Sequence, residues 1–112
     1  MEIDFKNKKL RKQLTEEKLL VKKYGKVQAK RIEQRLSEIE ATPTLDELKQ
    51  LPGPRLHPLK ENRKGQLCVD LDQPYRLIFV PNHDPIPQLR SGGLDWKAIT
   101  KVKIFEIADT HE

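Results

Sequence analysis

The chain has 112 residues, 35% of them charged and 5% aromatic, with a formal net charge of +5. That length suits one domain across residues 1–112, built around a single core. No apolar run is long enough to cross a membrane, the opening Met1-Glu2-Ile3-Asp4-Phe5 is not a signal peptide, and the single cysteine, Cys68, permits no internal disulfide. These features argue against a membrane span, export or a disulfide scaffold, and the expected location is cytoplasmic.

The charge is uneven: residues 1–40 carry +5, residues 54–66 carry +3, and the remainder sums to −3. Two basic segments in an otherwise mildly acidic chain point to a polyanionic partner, with nucleic acid the first candidate.

In chain order, Met1 to Lys6 alternates Ile3 and Phe5 with Glu2, Asp4 and Lys6, the period of a short half-buried strand at a sheet edge. Asn7 is placed to cap a helix whose apolar residues Leu10, Leu14, Leu20, Val21 and Tyr24 run up to Gly25, a natural stop. A second helix follows, with Ala29, Ile32, Leu36 and Ile39 on one face and Lys26, Lys30, Arg31 and Arg35 on a basic one. The short link at Gly25 predicts an antiparallel hairpin laid on a sheet. Pro43 ends the second helix, and Thr44-Leu45-Asp46-Glu47 has the form of a capping box for a short third helix over Leu45 to Gln50.

Three strands are expected next, at Arg55 to Lys60, Gln66 to Leu71 and Tyr75 to Val80, forming a meander of antiparallel neighbours. In the middle one Leu67, Val69 and Leu71 face one way and Gln66, Cys68 and Asp70 the other. Pro58 removes a backbone donor, which places the first strand at an edge or makes it irregular. Pro81 to Asp95 is long, rich in proline and without periodicity, and reads as a mobile flap or a partner-binding loop. Lys101 to Asp109 resumes the alternation, with Val102 and Ile104 opposite Phe105 and Ile107. The expected fold is α+β, an antiparallel sheet of four to five strands packed against an N-terminal helix hairpin.

Chemistry concentrates in Leu51 to Gln66, where His57, Lys60, Arg63 and Lys64 lie within eight residues between Pro52-Gly53-Pro54 and Gly65. One group that titrates near neutrality beside several fixed cations suits an anionic substrate and proton transfer. The same stretch also reads as a solvated basic hairpin. If the last strand pairs beside the meander, Asp109 and His111 approach His57 and Arg76. Arg76 stands in an otherwise apolar strand, a place where an arginine is seldom found without a partner. Such a patch could cleave a phosphodiester without metal, and RNA would supply its own nucleophile, the 2′-OH. Each residue has a plainer reading: His57 as a turn cap beside Pro58, His111 as part of a frayed terminus, Trp96 as loop packing and His83 as loop surface. The three histidines and Cys68 show no metal-ligand spacing, so neither a metal nor another cofactor is expected.

Taken together, the run L-P-G-x-R-L-H-P-L-K-x-x-R-K-G-Q, the later P-Y-R-L-I-F and the closing E-I-A-D-T-H resemble the HigB-type toxins of the RelE/ParE superfamily, also called plasmid-maintenance killer proteins. The resemblance spans essentially the whole chain. It implies a RelE-like fold and the toxin of a type II toxin–antitoxin system. Such a toxin is a ribosome-dependent endoribonuclease that cuts messenger RNA in the decoding site of the 70S ribosome and inhibits translation. It also implies a partner, a helix-turn-helix antitoxin of the HigA type, in a toxin–antitoxin hetero-oligomer. On these motifs His57 and His111 transfer protons, Lys60 and Arg76 stabilise phosphate charge, and Asp109 positions a histidine or base. RNA contacts fall to Lys26, Lys30, Arg31, Arg35, Arg63 and Lys64. Thr110 departs from the pattern, since many relatives carry an aromatic residue there, and substrate choice is what that loss touches. The same fold carries gyrase-poisoning members, so a ParE-like non-catalytic inhibitor of DNA gyrase and a basic RNA-binding module are the alternatives.

Overall fold

A computed structural model describes residues 1–110 of the chain. The elements run β1 (Glu2–Phe5), α1 (Lys8–Thr15), α2 (Glu17–Ala41), α3 (Leu45–Gln50), β2 (His57–Pro58), β3 (Leu67–Asp70), β4 (Tyr75–Pro81) and β5 (Lys101–Asp109). A single 3-10 turn, Glu61–Arg63, separates β2 from β3. The fold is α+β, with helices on one face of a five-stranded sheet in the order β1-β5-β4-β3-β2. Among the described residues no helix is long and apolar enough to cross a membrane.

The sheet is mixed, which corrects the antiparallel expectation. β2, β3, β4 and β5 pair antiparallel, but β1 runs parallel to β5, with Ile3 beside Val102 and Phe5 beside Ile104. Parallel neighbours need a long crossover, and here helices and three strands intervene between the two.

Local signals set the helices. Asn7 caps α1, its side-chain oxygen accepting from the Leu10 amide at 2.8 Å, and Thr44 Oγ1 accepts from the Glu47 amide at the start of α3. The expected first helix breaks early, at Glu16, whose backbone is extended. Gly25 sits at φ 81°, a left-handed conformation that favours glycine, and interrupts α2. Glu17 and Val21 consequently line one groove with Ala29 and Glu33. An unbroken helix would hold Glu17 roughly 24 Å from Glu33, so the chain folds back at Gly25 as a hairpin.

The core lies between this hairpin and the sheet, where Leu14, Leu20, Ile32 and Ile39 meet Val69, Leu77, Phe79 and Ile104. A bulge in β5 then reassigns the faces. Ile78 pairs with Glu106 but Phe79 pairs with Ile104, leaving Phe105 as the extra residue. Ile107 therefore returns to the helix-side core, against the simple alternation, while Phe105 and Ala108 join Leu59, Cys68 and Ile78 on the outer face.

β2 is only two residues long, as Pro58 foreshadows, and lies at the sheet edge. The Pro81 to Asp95 segment is partly built: Gln88 bridges Leu94, Gly92 and Gly93 take positive φ, and the His83 ring accepts from the Thr100 amide at 3.1 Å.

Candidate active site

The outer face of the sheet gathers the polar residues that the core face excludes. Strand register sets His57 beside Cys68, Cys68 beside Ile78, and Asp70 beside Arg76. His57 and Arg76 are thus two strands and two residues apart, roughly 12 Å between their Cα atoms.

The tautomer of His57 follows from its contacts. Nδ1 lies 2.8 Å from the Arg55 carbonyl oxygen, which can only accept, so Nδ1 carries the proton. In the neutral ring Nε2 keeps its lone pair; the buried Cys68 Sγ, 3.3 Å from Nε2 and 3.9 Å from Nδ1, lies against the ring face and not along that lone pair. The ring thus presents a nitrogen able to accept a proton, with the thiol packed on its face.

Arg76 is 8% exposed, and its guanidinium is shared out. Nη1 donates to the Thr110 carbonyl at 3.1 Å and to Thr110 Oγ1 at 2.9 Å. Nε lies 3.4 Å from Asp70 Oδ1, an ion-pair contact too poorly aligned to be a hydrogen bond, and both atoms are buried without a hydrogen-bond partner. Electrostatic attraction holds the pair, and a small shift would turn it into a charge-assisted hydrogen bond. Nη2 takes no acceptor among the described residues, which leaves it as the nitrogen able to meet an anionic oxygen.

Asp70 is the residue that sequence reasoning passed over. Its amide donates to the Pro54 carbonyl at 2.8 Å and its carbonyl accepts from Arg35 Nε at 2.6 Å. Oδ2 accepts from Arg55 Nε at 2.6 Å. That bond raises the pKa of Arg55 above its ordinary value, the attraction of the carboxylate adding to it. An acidic residue alternating toward the polar face of a strand, two residues from Cys68, was the available signal; nothing in the sequence tied it to Arg76.

The remaining candidates divide. Lys26 and Lys30 are exposed on the hairpin and Arg31 beside them is half-buried, whereas Arg35, one turn beyond Arg31, is 3% exposed. Arg35 instead donates to the carbonyls of Asp70 and Gly53 and pairs with Glu38 at 2.8 Å, which corrects its assignment to RNA contact. Lys60 and Lys64 are exposed beside the 3-10 turn, and Arg63 is half-buried against Gln66 at 3.0 Å and Glu106 at 3.4 Å. Asp109 lies opposite Tyr75, and alternation after the bulge puts it on the helix side, away from Arg76. Thr110 takes the outward position expected of Asp109. His111 lies outside the described residues.

No group of three or more His, Cys, Asp or Glu side chains that could hold a metal occurs among the described residues. A groove of about 540 Å³ lies elsewhere, between the hairpin tip and the β3–β4 turn, with Lys23, Tyr24, Lys26 and Tyr75 in its wall. In comparisons with known proteins, no family model matches the chain and no curated protein matches it.

Proposed function

We propose that the chain is the RelE-like, HigB-type toxin of a type II toxin–antitoxin pair, a ribosome-dependent and metal-independent mRNA endoribonuclease held in check by a HigA-type helix-turn-helix antitoxin. The observation that carries this reading is the pairing, on one sheet face, of a histidine with a lone pair at Nε2 and an arginine with Nη2 left over. The cations of Lys26, Lys30, Arg31, Lys60 and Lys64 supply attraction for RNA phosphates.

In this reading His57 Nε2 removes the proton of the 2′-OH, the 2′-oxygen bonds to phosphorus, and the bond to the 5′-oxygen breaks. Arg76 Nη2 steadies the charge that builds on the phosphoryl oxygens, with Lys60 as a second cation. The resemblance assigns the proton returned to the leaving 5′-oxygen to His111 and a positioning role to Asp109.

One observation favours the non-catalytic reading, a ParE-like inhibitor of gyrase. Arg76 and Asp70 neutralise one another, and Thr110 takes Arg76 Nη1, so the cation on the resting face is largely committed. Expression in a bacterial host separates the two. The nuclease reading expects truncated message on arrested ribosomes and normal DNA supercoiling; intact message with arrested supercoiling contradicts it.

A further inference from the structure

We infer that Asp70 is the positioning residue that couples the two halves of the proposed site, fixing the tautomer of His57 through Arg55 and the aim of Arg76 directly; this rests on the nuclease reading above.

The argument begins with the backbone of the loop before β2. Arg55 has φ 50°, a left-handed conformation that non-glycine residues rarely adopt and that persists only where surroundings impose it. In this conformation its carbonyl meets His57 Nδ1 at 2.8 Å. Its side chain is held at 2.6 Å by Asp70 Oδ2, and the carbonyl of the preceding Pro54 is held at 2.8 Å by the Asp70 amide. One residue of a buried strand thus grips two successive residues, Pro54 and Arg55, just before the histidine. Arg35 strengthens the grip from beneath, joining the Asp70 carbonyl to the Gly53 carbonyl.

The other carboxylate oxygen, Oδ1, faces Arg76 Nε at 3.4 Å from a position that is itself 6% exposed. With Thr110 holding Nη1, Asp70 at Nε limits the guanidinium to one orientation, in which Nη2 takes no acceptor among the described residues. Two arginines therefore share one carboxylate, each through its Nε, and His57 is reached through the first of them.

The sharing makes the residue sensitive to an isosteric change. Asparagine has one acceptor and one donor head. In Asp70→Asn, whichever way the amide turns, either Arg55 Nε or Arg76 Nε meets a donor in place of an acceptor. The shape is kept, but only one half of the site can stay in place.

Nitrogen NMR of the labelled protein reads the ring directly, and single-turnover cleavage of message on programmed ribosomes reads the chemistry. In Asp70→Asn the His57 ring should lose its single Nδ1–H pattern or Arg76 its fixed side-chain signals. The cleavage rate should fall about tenfold to a hundredfold at saturating ribosome, with the half-saturating concentration unchanged. Should that variant not fold, Arg55→Ala serves, because its side chain is 61% exposed and its loss releases the ring while leaving Arg76 paired. A ring that keeps its Nδ1–H pattern, with fixed Arg76 signals and full cleavage rate in the folded variant, overturns the inference. Wild-type protein that cuts nothing, while the ring pattern still changes on substitution, upholds the coupling and overturns the nuclease reading instead.

Discussion

The two faces of the sheet use the same strands for opposite ends. On the helix side, Val69, Leu77, Phe79 and Ile104 are fully buried against the hairpin and carry no polar atom. On the outer side, Cys68, Asp70 and Arg76 are buried too, but Asp70 and Arg76 are tied to Arg55 and Thr110 by hydrogen bonds and to one another by charge, while Leu59, Phe105, Ile78 and Ala108 add apolar packing. Burial alone does not separate a core from a site; what separates them is whether the buried atoms need partners. Apolar atoms tolerate any close neighbour, whereas a buried charge lacking its partner is costly, so the outer face is specific where the inner face is merely dense.

The largest effect should come from the dense face. Phe79→Ala, at a fully buried position, should lower stability by about 3–5 kcal/mol in urea denaturation. A loss of less than about 1 kcal/mol would mean that the core lies elsewhere.

Next is the specific face. Arg76→Lys keeps a cation opposite Asp70 but cannot also reach Thr110 and a substrate oxygen, since an ammonium has no planar fork. Growth inhibition should fall by about a hundredfold while circular dichroism stays native. Full toxicity in a folded variant would remove Arg76 from the site.

How much of this contrast was legible in the sequence depends on the face. The inner face was read from alternation, since Leu67, Val69 and Leu71 share one side in any regular strand. The limits of β5 and the caps at Asn7 and Thr44 were equally plain, because caps are local chemistry. The parallel β1–β5 pairing was not legible, since no local signal distinguishes a parallel edge from an antiparallel one. The outer face was half read: His57 and Arg76 stood out as polar residues among apolar ones. Asp109 was misplaced because the bulge at Phe105 shifts every later side chain of β5 to the other face, and Thr110 rather than Asp109 meets Arg76. Arg35 was read as basic surface because helical spacing shows a face but not the loop packed over it.

A third, smaller effect sharpens the contrast between charges that are buried and charges that are solvated. Reversing Lys26, Lys30 and Arg31 to glutamate should leave stability nearly unchanged, as exposed or half-buried hairpin residues. Ribosome binding should weaken, with its salt dependence losing roughly 0.7 in log–log slope per phosphate contact removed. Pelleting across a salt series measures it, and an unchanged slope would separate the hairpin from RNA.

The smallest concerns Tyr24, half-buried beside the hairpin turn, whose phenol is pushed above its ordinary value of 10.0 by burial. Folding holds that proton more tightly than the unfolded chain does. The stability gained is complete below pH 10 and is lost as pH rises through the folded value. A phenolate absorbance titration should show one of the two tyrosines ionising late, and the late component should vanish in Tyr24→Phe.

The most direct test of the central claim is the chemistry of the cut ends. Mass spectrometry of message cleaved on the ribosome should find a 2′,3′-cyclic phosphate or its opened 3′-phosphate on one fragment and a 5′-hydroxyl on the other. A 2′-O-methyl group at the scissile nucleotide should abolish the cut, because His57 would have no 2′-proton to remove. A 5′-phosphate with a 3′-hydroxyl, or cleavage that ignores the 2′-O-methyl group, would contradict the assignment of His57 and Arg76 to transfer within the RNA itself.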